Sequence, residues 1–473
     1  MKLFGVLLLL ACLHVSTAAN DTVIIKYKDL DLSANSSDPA AGFPPPPPGV
    51  LLVADAPFLG FQIFQLTDPY ITPTEYCQDL EMEDDNVAFC EPDSEVSLIA
   101  EQALPTPSAA PNDPLFGQQP NLKTIDLIPV WSQNVFGSPS VLVCFPDTGT
   151  SLDHPDLKQS IRNGTSFLGG VQSADYQDGN GHGTFVTGVV GALTNNGIGV
   201  AGVVQQPSIA ACKFMDATGN GALSDAALCF NWCLQEQSSV ISCSFGAPTF
   251  SAALQAAVQA ASAQNVVFVA SAGNEGVNTD ASPHYPSQFS KSLPGVITVA
   301  ASDASNNLWT RSNYGATTVQ IAAPGVSILG LGLGGSYVTL TGTSMSTPQV
   351  AGVAALLLSD LAKRASSLTK TAQINEAVKQ GIVSTARNFS SRTDSAKLTG
   401  GGIVDAAAAL KAFRGSSTYA AASRSSISAT VVAAVAGILV GIVLTLAAVG
   451  LWVYVQRLQQ IRATRARAGL DGA

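Results

Sequence analysis

The sequence predicts an α/β protein built on a mostly parallel sheet with helices on both faces. Short apolar runs at 141–145, 208–214, 240–244, 266–270 and 296–300, rich in Val, Ile and Ala, read as buried strands. Runs at 184–193, 223–236 and 252–263 have helical character and separate several of them. Strands alternating with helices pair in parallel through crossovers that cover both faces of the sheet. The first strand run ends on Asp147, and α/β folds place their sites at such strand ends.

Taken in order, the chain opens with an export signal. Met1-Lys2, an apolar core at 6–13 and the small residues Ser16 to Ala19 fit a cleaved secretory peptide, too short to span a bilayer. The region up to about residue 111 has a different character. A strand is expected at 22–27, a stiff polyproline insert at 44–48 and an acidic, helical stretch at 74–84. Residues 103–114 are rich in Pro and Ala and read as an exposed, cleavable linker. After the α/β region, 401–405 and a helix at 406–410 close the domain, and 414–428 is a Ser/Ala-rich stalk.

The apolar stretch 429–455 is long enough to span a membrane with tilt, and Trp452 and Tyr454 suit its interface. Arg457, Arg462, Arg465 and Arg467 then put the tail on the cytoplasmic side. A lipid anchor that replaces the apolar tail is disfavoured, because the chain continues into a basic segment. The expected topology is single-pass type I, with the main domain outside the cytosol in the secretory pathway.

Composition agrees. Over 473 residues the charged fraction is 12% and the net charge is −11, which argues against nucleic-acid binding. The mean hydropathy of +0.26 owes much to the two apolar segments. Glycosylation sequons occur at Asn35, Asn163 and Asn388. Of 8 cysteines, Cys12 leaves with the signal, and Cys77 and Cys90 precede the α/β region. Cys144, Cys212, Cys229, Cys233 and Cys243 lie within it, so at least one is expected free and buried. No zinc spacing or organic-cofactor motif is present.

The chemistry centres on Gly342-Thr343-Ser344-Met345-Ser346-Thr347-Pro348, which leads into an Ala/Leu helix. Ser344 is expected at a helix N-terminus, where free N–H groups favour developing negative charge. Pro348 is expected in the first turn, where its missing N–H costs nothing. Alone this is a capped helix; a serine becomes a nucleophile only beside a base that an acid orients. The sequence holds 4 histidines. His14 lies in the signal, His154 in a turn, and His284 before Tyr285-Pro286 in a loop. Only His182 opens an apolar helix within Gly181-His182-Gly183-Thr184, so it is the candidate base, with Asp147 as its acid. Asp178 and Asp153 compete for the acid role but lie in polar turns, where a solvated carboxylate is expected. Asn274, between the 266–270 strand and Gly276, offers a side-chain amide donor.

Acid, base, amide and serine in this order and in these contexts resemble the subtilisin-like serine proteases, whose triad runs Asp, His, Ser along the chain. The resemblance covers about 112–413. It implies a subtilisin-like three-layer α/β fold with a mostly parallel central sheet, preceded by a small α+β propeptide; the apolar stretch 429–455 adds one transmembrane helix after it. It also implies a serine endopeptidase working through an acyl-enzyme, with Asp147, His182 and Ser344 as the triad and Asn274 in the oxyanion hole. Protein or peptide substrates would pair with Ser244-Phe245-Gly246 by backbone hydrogen bonds. Residues 86–93 resemble the last strand of an inhibitory propeptide, so the chain's own N-terminal segment is an expected partner.

Residues 194–200 resemble a calcium loop, which implies Asp156, Asn195, Asn196 and Val200 as ligands of a structural calcium; a metal-free glycine turn is the alternative. His284 takes the place of a small residue at the floor of the pocket for the side chain before the cut. That implies small or polar side chains there, with acidic ones gaining as pH falls, unless His284 faces solvent. The expected organisation is signal peptide 1–19, propeptide 20–104, linker 105–111, catalytic domain 112–413, stalk 414–428, membrane helix 429–455 and basic tail 456–473. An inactive, membrane-anchored binding protein of the same fold is the rival from another class, and the intact quartet weighs against it.

Overall fold

The computed structural model describes residues 21–28, 43–56, 59–97, 113–365, 368 and 370–423. The expected signal peptide, linker (105–111), membrane helix and basic tail lie outside the described residues, as does Asn35. Among the described residues no helix is long and apolar enough to cross a membrane.

The N-terminal unit is a small α+β layer. Strands β1 (Thr22–Tyr27), β2 (Val50–Ala56), β3 (Phe61–Leu66) and β4 (Val87–Pro92) form an antiparallel sheet in the order β2-β3-β1-β4. Helix α1 (Pro73–Glu83) is opened by a reciprocal cap between Thr72 and Glu75 and joined to β4 by the Cys77–Cys90 disulfide. Alternation along the strands sorts the side chains by face. Val23, Ile25 and Phe64 pack toward α1, whereas Ile24, Phe61 and Ile63 join the core of the larger unit.

After β5 (Glu95–Ser97) and the short helices α2 (Pro120–Thr124) and α3 (Ile128–Trp131) comes the main layer. Its elements run β6 (Val143–Asp147), β7 (Ile161–Leu168), β8 (Val171–Ser173), α4 (His182–Gly191), β9 (Ile209–Lys213), β10 (Asn220–Ala222) and α5 (Leu223–Gln235). They continue with β11 (Val240–Cys243), α6 (Ala252–Ala263), β12 (Val267–Ser271), β13 (Val296–Ser302), β14 (Ile321–Pro324), β15 (Ile328–Leu331) and β16 (Tyr337–Leu340). Helices α7 (Thr343–Ala365) and α8 (Ala372–Ser384), strand β17 (Arg387–Asn388), helix α9 (Arg392–Ser395), strand β18 (Gly402–Ile403) and helix α10 (Ala406–Gly415) complete it.

The sheet order is β17-β18-β14-β13-β12-β11-β6-β9-β7-β8, parallel from β18 to β7 and antiparallel at its two edges. Two cores follow from strand alternation. Val143, Phe145, Val267 and Val269 meet α4 and α7 on one face; Cys144, Phe268 and Ala270 meet α5 and α6 on the other. This is the three-layer α/β arrangement expected from the sequence, and the N-terminal sheet packs on the α5 and α6 side.

Two further disulfides, Cys144–Cys233 and Cys212–Cys229, fasten α5 to β6 and β9, and Cys243 is the buried free thiol. The packed chain continues past residue 413, where a stalk was expected. Arg414 Nη2 binds Asp360 Oδ1 at 2.7 Å, and the buried Tyr419 donates its hydroxyl to Asp360 Oδ2 at 2.6 Å.

Candidate active site

Parallel neighbours β6, β11 and β12 end on the same edge of the sheet, and that edge gathers the polar residues singled out above. Asp147 is the last residue of β6 and is buried. Its Oδ1 accepts the Thr148 backbone N–H at 2.7 Å and lies 2.7 Å from His182 Nδ1. With the proton on Nδ1, that contact is a hydrogen bond that fixes ring orientation and leaves Nε2 basic. His182 is the first residue of α4, entered through Gly181 at φ 107°, a conformation that favours glycine. Gly183 is needed for space: a Cβ there would lie 2.1 Å from Gly149 O and 3.1 Å from Asp147 Oδ1.

Asp178 corrects the sequence expectation of a solvated loop carboxylate, because it is buried beneath α4. It accepts from Asn180 N, Gly181 N and Thr148 Oγ1 on one oxygen and from Thr184 N and Oγ1 on the other. It therefore caps α4 and sets the loop that presents His182. Asp153 is exposed, as expected. His154 is buried in its turn, its Nε2 3.1 Å from Ser336 O.

Ser344 is the second residue of α7, and its Oγ donates to Ser244 O at 3.0 Å. Helix α7 starts early enough to put Pro348 inside it, not in the first turn as the sequence suggested. A proline here supplies no N–H to the carbonyl four residues back, which is Ser344 O. Ser244 Oγ donates to that carbonyl instead, at 3.2 Å. Asn274 follows β12; its Oδ1 accepts Thr343 N at 2.9 Å and Thr343 Oγ1 at 3.0 Å. Its Nδ2 is buried without a hydrogen-bond partner, a donor held ready for an incoming oxygen.

Ser244, Phe245 and Gly246 leave β11 on this edge, with Ser244 and Phe245 fully buried. His284 does not face solvent: it is 6% exposed, and its neighbour Tyr285 bridges to Ala247 by reciprocal backbone bonds of 2.8 and 2.9 Å. Burial lowers the basicity of its imidazole, and Glu275 nearby acts in the opposite direction.

The N-terminal unit reaches the same side of the molecule. Strand β5 pairs antiparallel with β10, Val96 opposite Gly221. Glu91 caps α6 by accepting from Ser251 Oγ, Ala252 N and Ala253 N, and Asp93 caps α5 at Ser224.

Of the residues expected to hold calcium, Asp156, Asn196 and Val200 come together. Asp156 is buried and accepts Asn196 Nδ2 at 2.7 Å and Val200 N at 3.0 Å. Asn195 differs, since its side chain turns to Gln205 Oε1. Sequence reasoning missed Asp113, buried and accepting Asn195 N and Asn196 N. Burial pushes the Asp156 carboxyl up to about 6, and the Asp113 charge adds to the rise. Two buried carboxylates beside an amide-rich turn suit a hard cation such as calcium. Among the described residues no cluster of three or more His, Cys, Asp or Glu is gathered for a metal, so amide and main-chain oxygens would supply the remaining ligands. Thr343 was also missed; it acts through a backbone contact to Asn274 that only the assembled fold creates.

The profile of the subtilase family matches residues 138–404. Subtilisin BL of Lederbergia lenta is 39% identical over 271 residues, 57% of this chain and 91% of that protein. An alkaline protease of Alkalihalobacillus alcalophilus is 36% identical over 328 residues, 69% of this chain and 75% of its own. Subtilisin E of Bacillus subtilis (strain 168) is 42% identical over 229 residues, 48% of this chain and 58% of its own.

Proposed function

The chain belongs to the subtilase family and is a serine endopeptidase, and from that premise we propose the following division of labour. Ser344 Oγ attacks the carbonyl carbon of the scissile peptide. Its proton swings from Ser244 O to His182 Nε2, a rotation about the Cβ–Oγ bond. His182 then returns the proton to the leaving amine, and water releases the acyl group by the reverse sequence. Asp147 holds the ring tautomer and stabilises the imidazolium. Asn274 Nδ2 and the Ser344 backbone N–H receive the tetrahedral oxyanion. The observation that carries this reading is the 2.7 Å contact between Asp147 and His182.

Substrate would lie as an extended strand against Ser244–Gly246 and against β10. The pairing of β5 with β10 supports residues 20–104 as an inhibitory propeptide that occupies this edge before removal. Asp113, Asp156, Asn196 and the carbonyl of Val200 would hold a calcium ion, which takes no part in the reaction and neutralises the two carboxylates. The disulfides support an oxidising compartment. The signal at 1–19, the apolar stretch 429–455 and the basic tail support a type I membrane protein with its catalytic domain outside the cytosol.

Hydrolysis of an unfolded protein substrate by wild type and by Ser344→Ala tests the reading. The variant should lose turnover while still unfolding in a cooperative transition, as a folded chain does. Comparable hydrolysis by both would move the nucleophile elsewhere.

A further inference from the structure

The reading of Ser344 and Asn274 above fixes where the scissile carbonyl lies, and this inference rests on it. On that reading the side chain preceding the cut would project between the two segments that meet Ser344 and its neighbour Thr343: Ser244-Phe245-Gly246 after β11, whose Ser244 O accepts from Ser344 Oγ, and Ala272-Gly273-Asn274 after β12, whose Asn274 Oδ1 accepts from Thr343 N. Each wall contributes a glycine, Gly246 and Gly273, so the backbones alone would leave a deep slot.

His284 fills that slot. A Cβ built on Gly246 would lie 2.1 Å from His284 Cε1 and 2.8 Å from either ring nitrogen. A Cβ on Gly273 would lie 3.1 Å from His284 Nε2 and 2.7 Å from Glu275 Oε2. The imidazole therefore touches both walls, with the Glu275 carboxylate at its polar edge. Its position is fixed by neighbouring bonds. Ser287 Oγ and Gln288 N both donate to His284 O at 2.7 Å, and Ser287 Oγ is 3.3 Å from the ring Nδ1. Asn313 Nδ2 holds Glu275 Oε2 at 2.5 Å.

We propose that His284 is a specificity-determining plug, so that the enzyme cleaves after small uncharged residues such as Gly, Ala and Ser and rejects aromatic ones. An aromatic ring would have to occupy the volume the imidazole already fills. Acidic side chains are rejected too, because Glu275 borders the place where their carboxylate would sit.

Peptide p-nitroanilides differing only in the last residue (Ala, Phe or Glu) test this on the full chain after its own processing, with active enzyme counted by fluorophosphonate titration. Wild type should give kcat/KM at least about tenfold higher for Ala than for Phe or Glu. His284→Gly and His284→Ala should shift the Phe-to-Ala ratio toward Phe by about 10–200-fold. A wild type that prefers Phe or Glu overturns the proposal without any variant. An unchanged ratio in a variant that still titrates overturns it equally. If no serine titrates and no substrate is cut, the catalytic reading of Ser344 fails, and the pocket fails with it.

Discussion

The side-chain oxygen of Asn274 is bound at 2.9 Å to the backbone N–H of Thr343, the residue before Ser344. That bond decides which end of the amide faces the nucleophile: the oxygen is engaged, so Nδ2 points outward as the buried donor. Asn274→Ala should lower kcat by about 10²–10³ and leave KM nearly unchanged, because the donor is used only once the oxyanion forms. Steady-state kinetics on one peptide checks it. A rise in KM alone would make Asn274 a substrate-binding residue.

The contact between the N-terminal unit and the catalytic layer should depend on pH. Asp93 is buried at α5, where burial pushes its carboxyl up to about 6 against its hydrogen bonds to Ser224 and Ser94. Asp225 is pushed up to about 7, first by burial and then by Asp93, while Gly169 N and Gly170 N favour its charged form. The Asp93 carboxyl binds its proton more tightly in the assembled state than when exposed near 3.8. Its contribution to assembly is therefore complete below the exposed value and lost as pH rises through about 6, where its charge also meets that of Asp225. After self-cleavage, the N-terminal fragment should co-elute with the catalytic domain at pH 5 and separate more readily at pH 8. Asp93→Asn should flatten the difference; retention that grows with pH would reverse the account.

Chelation should lower the thermal midpoint of the wild type, and added calcium should restore it. Asp113→Asn with Asp156→Asn should abolish the response, since the carboxylate charge that a cation neutralises is gone. Calorimetry with and without a chelator reads both. A chelator-insensitive midpoint would leave residues 194–200 as a metal-free turn held by Asp156 and Asp113.

Maturation gives a separate handle. Wild type should cut itself between Ile99 and Asp113, and Ser344→Ala should remain full length. N-terminal sequencing should find a small residue before the cut, for which the segment offers Ala100, Ala103, Ser108, Ala109 and Ala110. A Ser344→Ala chain cut at the same bond would assign the cleavage to another protease.

The parallel core was legible because its strands are continuous apolar runs, and β11 to β13 lie within a residue or two of the expected bounds. The hairpin of β7 and β8 was not, because its edge position leaves polar Arg162, Asn163 and Gln172 among few apolar residues. Asp147, His182, Asn274 and Ser344 stood out by their glycine-rich contexts. Asp178 was misjudged for the same reason: its glycine neighbours signal a turn, and only the packing of α4 over that turn buries it. Pro348 misled because α7 begins before the serine and not after it. Disulfide partners were illegible, since Cys144 and Cys233 meet only once α5 crosses the sheet.

The central claim is that His182 activates Ser344. Labelling the full chain with a fluorophosphonate and locating the adduct by peptide mass analysis tests it most directly. The account predicts one rapidly formed adduct on Ser344, its rate falling steeply in His182→Ala while Asp153→Asn, at an exposed turn carboxylate, retains labelling. An adduct on another serine, or equal labelling of Ser344 without His182, would contradict it.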